Sequence, residues 1–228
     1  MLTVKDYIPL VEFLGKILSK YCEVVLHDLN TPEHSIVAIA NGEISGRQVG
    51  GPVTDLLLKV LKNGDATNNS YYSNYHGKNI NGHICLCSSY FIHDEQNRTI
   101  GVLCINKDIS KFLEARKYLT DNIICDDVQD EDLDKTNVSI NDNIKIFENL
   151  QGSADDVIDT LIDKALAKYK VGPERLSQKE RMNIAQELDG NGLFLLKGGI
   201  TVLSERLNIS EPTIYRYLGK LRREKDNS

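Results

Sequence analysis

The chain has 228 residues, a formal net charge of −6, 41% hydrophobic residues and 26% charged residues. That is ordinary soluble globular composition, with room for one large or two small cores. Its apolar runs fall far short of the roughly 18 residues that span a bilayer, and its five cysteines are odd in number and show no C-x-x-C or zinc-type spacing.

The first 21 residues, "MLTVKDYIPLVEFLGKILSKY", are broken by Lys5, Asp6 and Glu12 and lack the basic start and cleavage site of a signal peptide. They read as an amphipathic helix of a cytoplasmic protein. Four β-rich runs follow: "CEVVLHDL" (22–29), "SIVAIAN" (35–41), "ICLCSSYFI" (84–92) and "TIGVLCIN" (99–106). "TPEH" and "HDEQNR" join them pairwise, at lengths that fit antiparallel hairpins. Between the pairs, "VTDLLLKVLKNG" (53–64) reads as a helix, and the polar stretch 65–82 as a loop. The expectation is an α+β fold whose N-terminal domain, residues 1–119, is an antiparallel sheet with helices.

Residues 126–143, "DDVQDEDLDKTNVSINDN", hold seven carboxylates and one lysine, so 120–152 reads as an acidic linker. A connecting amphipathic helix follows within 153–175, with Ser153 as N-cap and a stripe through Val157, Ile158, Leu161, Ile162, Ala165, Leu166 and Tyr169. That stripe has two readings, packing on its own chain or forming a dimer seam.

Residues 176–228 read as an all-α unit. Ser177 and Glu180 make a capping-box pattern, ahead of Met182, Ile184, Ala185 and Leu188. "LFLLKGG" reads as a short extended connector, "ITVLSERL" as a short helix and "NIS" as a turn, with Ser210 as N-cap of a last helix bearing Pro212 in its first turn. At about 100° per residue, Ile214, Leu218 and Leu221 share one side, flanked by Tyr217, and face Leu203, Leu207 and Ile209. The opposite side holds Pro212, Arg216, Gly219 and Arg223, flanked by Thr213 and Lys220. A basic, small-residue face suits the major groove, with N-terminal residues at base edges and Lys220, Arg222 and Arg223 at phosphates. The charge is divided accordingly. From Gln178 onward there are nine Lys/Arg against seven Asp/Glu, while the first 177 residues hold eighteen against twenty-six.

"VLSERLNISEPTIYRYLGKL" resembles the helix-turn-helix of bacterial transcription regulators, in which S-x-x-T-[IV]-Y-R-x-L opens the recognition helix. "CEVVLHDL", "HSIVAIANGEISGRQVGGPVTDL" and "IGVLCINKDIS" resemble the YheO-like PAS domain, and "FLLKGGI" resembles the helix-turn-helix domain paired with it. The resemblance implies a PAS-like sensor and a DNA-binding domain, double-stranded DNA as partner, and a homodimer or higher homo-oligomer on a two-fold site. The DNA-facing set is Ser210, Glu211, Thr213, Tyr215, Arg216, Lys220, Arg222 and Arg223. Glu211 departs from the pattern, which commonly has a basic or small residue there; it suits the helix dipole, repels a phosphate and matches a cytosine amino group.

A PAS-like sheet commonly encloses a small molecule, and the candidate lining is His27, Asp28, Arg47, Ser88, Ser89, Cys104 and Asn106. Each also has a structural reading: His27 satisfied by a neighbour, Asp28 and Asn106 capping turns, Arg47 on the surface. The spacing of His27, His34, His76, His83 and His93 fits no metal or haem template, and the cysteines read either as buried reduced thiols or as redox or metal ligands. No cofactor or metal is expected, and no catalytic motif is present to make the front domain an enzyme, His27, Ser88 and Cys104 being without supporting spacing. The alternative is an interaction module whose basic last helix docks on an acidic protein.

Overall fold

The computed structural model describes the backbone of residues 3–63, 70–122 and 147–226, and their side chains except those of Phe147 and residues 221–226. The core of the acidic stretch, Cys125, and the side chains of Leu221, Arg222 and Arg223 lie outside the described residues.

One six-stranded sheet organises the front half, in the order β2-β1-β5-β4-β3-β6. Its strands are β1 (Cys22–Asp28), β2 (Ile36–Ala40), β3 (Tyr71–Asn79), β4 (Ile84–His93), β5 (Thr99–Asp108) and β6 (Phe147–Leu150). The β1–β2, β1–β5, β4–β5 and β3–β4 pairs are antiparallel, and both expected hairpins form. β1 is buried on both faces along almost its whole length. It is covered by α1 (Ile8–Ile17) on the outer side, where Val11, Val24 and Leu26 share a core, and by α2 (Asp55–Asn63) on the inner side. A strand covered on both faces needs no polar alternation, hence the apolar "VVL".

Two segments differ from their sequence reading. Tyr71–Asn79 is a strand, not a loop: its polar side chains point outward while Tyr75, Gly77 and Asn79 are buried, so the alternation is real but written in unusual residues. Phe147–Leu150, placed in the linker by composition, pairs in parallel with β3, in the register His76 to Phe147 and Asn79 to Leu150. Gly77 makes the close pairing possible: a Cβ there would lie 2.7 Å from Cys87 Sγ and 3.3 Å from Glu148 O. The helix α3 (Ser110–Asn122) also runs past the expected end of the first domain and has no buried residue.

The helical half comprises α4 (Ala154–Leu166), α5 (Gln178–Gly190), α6 (Gly199–Leu207) and α7 (Glu211–Asp226). Ser153 caps α4, accepting from Asp156 N, and the Ser177/Glu180 capping box opens α5. The 193–199 connector is not extended. Leu193–Leu195 form one 3-10 turn and Gly198, at φ +88°, turns the chain into α6.

The stripe on α4 packs on its own chain, which removes it as a dimer seam. Val157, Ile158, Leu161, Ile162 and Ala165 belong to one apolar core that also holds Val25, Phe91 and Val102 of the sheet, Leu57 and Leu58 of α2, and Ile184, Leu203, Leu207, Ile214 and Leu218 of the helical half. The helix α2 therefore joins the two halves. Gly192 (φ +80°) stands so close to it that a Cβ would meet Leu58 O at 2.6 Å, and Lys62 binds Asp189 at 2.7 Å.

Candidate nucleic-acid interface and buried polar site

The helix α7 is held from one side. Ile214 and Leu218 are buried against Leu203 and Leu207 of α6, and Tyr217 is buried beside them. The other side is open: Pro212, Tyr215, Arg216, Gly219 and Lys220 are exposed and Thr213 is half-buried. Tyr215 is 58% exposed, an aromatic left in water. A cationic, partly aromatic face on a helix buried by its other side can enter a groove without rearranging the core. Ser210 precedes the first residue of α7, and its Oγ lies 3.0 Å from Thr213 Oγ1. Its carbonyl accepts from the N–H groups of Thr213 and Ile214.

Glu211 has a different place from the one its position suggested. Its Oε1 accepts from Thr201 Oγ1 on α6 at 2.7 Å. The carboxylate braces the first turn of α7 against the first turn of α6 and suits the positive end of the α7 dipole. The sequence signal was its position at a helix start; the partner, ten residues earlier, was not legible.

The second site is the inner face of the sheet. Strand alternation puts Glu23, Val25 and His27 of β1 on it, next to Asn106, Cys104 and Val102 of β5, then Cys87, Ser89 and Phe91 of β4, and Tyr75 of β3. Glu148 of β6 and Ser45, Arg47 and Thr54 of the segment before α2 close over it. All the polar members of this set are buried. Glu23 accepts from Ser45 Oγ, from an Arg47 guanidinium nitrogen, and from Asn106 Nδ2 at 2.9 Å. Arg47 Nε donates in turn to Ser45 Oγ at 3.0 Å. Arg47 thus meets a carboxylate, as its chemistry allowed, but an internal one. Burial works against its charge, yet the Glu23 and Glu148 carboxylates outweigh that, and its pKa is raised.

Glu148 accepts from Thr54 Oγ1 at 2.5 Å and Tyr75 OH at 2.8 Å, and Tyr75 OH lies 2.8 Å from Ser89 Oγ. Its other neighbours tie the same strand to the helical half: Asp55 accepts from Asn149 N at 2.9 Å and from Lys164 Nζ of α4 at 2.8 Å. Burial raises the Glu148 pKa above the usual carboxylate value. A folded pKa above the unfolded one means stability is lost as pH rises from the unfolded value through the folded one. Glu148→Gln, which mimics the protonated form, therefore melts like the parent near pH 4 and at a higher temperature than the parent toward neutral pH. Thermal melts of both proteins across that range check this, and a difference that stays constant with pH sinks it.

His27 is buried with its Nδ1 2.8 Å from Ser35 Oγ, and burial holds its pKa well below the usual value, so the ring is neutral. Among the described residues, nothing hydrogen-bonds His27 Nε2 or Asn106 Oδ1, both shielded from solvent. Burial also pushes the Cys85 and Cys104 thiols up, to about 12, which disfavours their thiolate forms. Four cysteines, Cys22, Cys85, Cys87 and Cys104, are free and buried, and the described residues contain no cluster of His, Cys, Asp and Glu able to hold a metal.

Of the expected lining, His27, Arg47, Ser89, Cys104 and Asn106 come together on this face. Asp28 and Ser88 do not: Asp28 caps the following turn by accepting from Asn30 N, and Ser88 points outward and accepts from Asn74 N. Glu23, Ser45, Thr54, Tyr75 and Glu148 were missed, because nothing in a local stretch marks a strand acid as inward-facing.

Comparison with known proteins follows the same division. The family model for the YheO-like PAS domain matches residues 2–123, and a helix-turn-helix domain model matches residues 157–219, so its match begins within α4. An uncharacterized protein of Haemophilus influenzae is 27% identical over 98% of this chain and 93% of its own length. The uncharacterized protein YheO of Escherichia coli K12 is 27% identical over 94% of this chain and 82% of its own. The transcriptional regulator DauR of Pseudomonas aeruginosa is 23% identical over 96% of this chain and 95% of its own.

Proposed function

The chain belongs to the YheO-like PAS family, and from that premise we propose that it is a transcription regulator that reads double-stranded DNA with α7 while its PAS domain responds to a small polar molecule or a partner. The observation that carries the reading is the open face of Tyr215, Arg216, Gly219 and Lys220 on a helix anchored by Ile214 and Leu218. The pairing of the two domains, and the name borne by the P. aeruginosa relative, support a regulatory chain and not an enzyme. A regulator of this kind works in the cytoplasm. No described helix is long and apolar enough to cross a membrane.

The sensing element is the inner face around Glu23, His27, Arg47, Asn106 and Glu148, where His27 Nε2 at one end and Asn106 Oδ1 at the other lack hydrogen-bond partners among the described residues, and a small polar ligand would supply one of them. The route to DNA runs through β6 and α2. Glu148 touches the sensing face, Asn149 and Asp55 lie beside it, and Lys164 carries the contact into α4.

The active species is a dimer formed through the PAS domain. The α4 stripe is unavailable, whereas Phe13 and Ile17 of α1 and Phe112, Tyr118 and Leu119 of α3 are all exposed. A thirteen-residue helix with no buried residue gains its stability by packing on something, and a second copy meets that need while pairing two reading heads.

Selection from random duplexes with the full chain tests the proposal. It yields two related half-sites about one helical turn, or a multiple of it, apart. Affinity for the selected duplex falls steeply between low and physiological salt. An unrelated single half-site removes the dimer; no enriched sequence removes DNA reading and favours docking of the basic helix on an acidic protein.

A further inference from the structure

The β1–β2 connection reaches across to the helical half. Its 3-10 turn, Pro32–His34, is pinned from behind: Val53 N donates to Pro32 O at 2.9 Å, and His34 Nδ1 lies 3.1 Å from Gly50 O. From this fixed turn the Glu33 carboxylate accepts the backbone N–H of Lys197 at 2.8 Å. The turn also forms one wall of a cleft whose other wall is Gly152–Ala154, so it stands where the sensor meets the helical half.

Lys197 and Gly198 are exposed; Gly198 is the N-cap of α6, and Lys197 stands one residue outside the helix. The first N–H groups of a helix have no partner inside it, carry the positive end of its dipole, and are common ligands of phosphate. In a helix-turn-helix, the helix before the recognition helix lies across the DNA backbone. The brace from Thr201 to Glu211 puts the first turns of α6 and α7 side by side, so the α6 entrance is at the DNA-reading end of the unit. A sensor-domain carboxylate therefore sits on the backbone donor next to the α6 N-cap, beside the N–H groups where a phosphate would dock, with its own negative charge against the incoming one.

We infer that Glu33 makes an autoinhibitory contact: it imitates a phosphate at the entrance of α6 and lowers DNA affinity until the sensor releases it. The inference rests on the reading of α7 as a recognition helix. The contact is a single charge-assisted hydrogen bond in an exposed setting, strong enough to bias two arrangements and weak enough to give way. It also accounts for an acidic sensor held so close to a basic reading head.

The experiment compares the full-length parent with Glu33→Gln and Glu33→Lys. Titrations use the selected duplex at low and physiological salt, with amide exchange at Lys197 as a direct report on the contact. Glu33→Gln binds about 5-fold or more tightly at low salt, the low end of typical coupling between two sites. Glu33→Lys binds more tightly still, both gains shrink as salt is added, and the Lys197 amide exchanges faster in both. Equal or weaker binding by both variants overturns the inference. If the parent and both variants bind no duplex, the reading of α7 fails instead, so the two failures are distinct.

Discussion

Arg216→Ala weakens binding to the selected duplex by about 1–3 kcal/mol and relaxes the preference at one base position. The reason is geometric. Arg216 is exposed on the open face of α7, one turn after Pro212, where a recognition helix contacts base edges. A guanidinium presents a planar fork that matches the two acceptors on guanine, and an ammonium does not. Arg216→Lys therefore keeps most of the non-specific affinity and loses the base preference. Lys220→Ala, a turn further along, weakens binding to all sequences alike and reduces the salt slope by about one, the behaviour of a phosphate contact. Because these side chains are exposed, the substitutions change folding stability by no more than about 0.5 kcal/mol, so lost binding is not lost folding. Unchanged affinity in Arg216→Ala removes α7 as the reader.

Glu211 serves as the internal comparison. A cytosine contact makes Glu211→Gln change specificity; the brace to Thr201 makes it change little beyond the packing of α6 on α7. The structure favours the brace.

What could be read from the sequence depended on whether a feature was local. The capping box at Ser177 and Glu180, the cap at Ser153, and the two-sided pattern of α7 are all set within one or two turns, and all are present. The four apolar strands were legible for the same reason. β3 was not, since "YYSNYHGKN" has too few β-branched and aliphatic residues to mark a strand; it is held by pairing with β4 on one side and β6 on the other. β6 is four residues long and pairs with a strand some 70 residues earlier in the chain, so composition alone assigned it to the acidic linker. The stripe on α4 was visible, but a stripe does not name its partner, which proved to be α2 and the helical half. The buried acids were invisible for a chemical reason. Glu23 and Glu148 look like surface residues until the sheet register aims them inward at Arg47.

Those acids lead to the largest stability effect expected here. Arg47→Met destabilises the chain by about 3–5 kcal/mol, the cost of leaving a buried charge without its partner. Glu23→Gln costs less, and the asymmetry follows from the neighbours. Removing Arg47 strands Glu23, which keeps only the neutral donors Ser45 and Asn106, and also takes away a favourable charge near Glu148. Removing the Glu23 charge leaves Arg47 with Glu148 still nearby, and Gln at 23 can still accept from Asn106. The double variant recovers much of the loss, since a buried pair replaced together by uncharged groups leaves no charge unpaired. Urea unfolding of the four proteins gives the coupling directly: strong non-additivity with Arg47→Met the worst single change fits the geometry, and two equal, additive losses contradict it. The same cycle separates structure from sensing. If the pair only held the segment before α2 in place, the double variant would bind DNA as the parent does. If the inner face sets the conformation passed through β6 and α2, the double variant regains its stability yet binds DNA with a changed affinity.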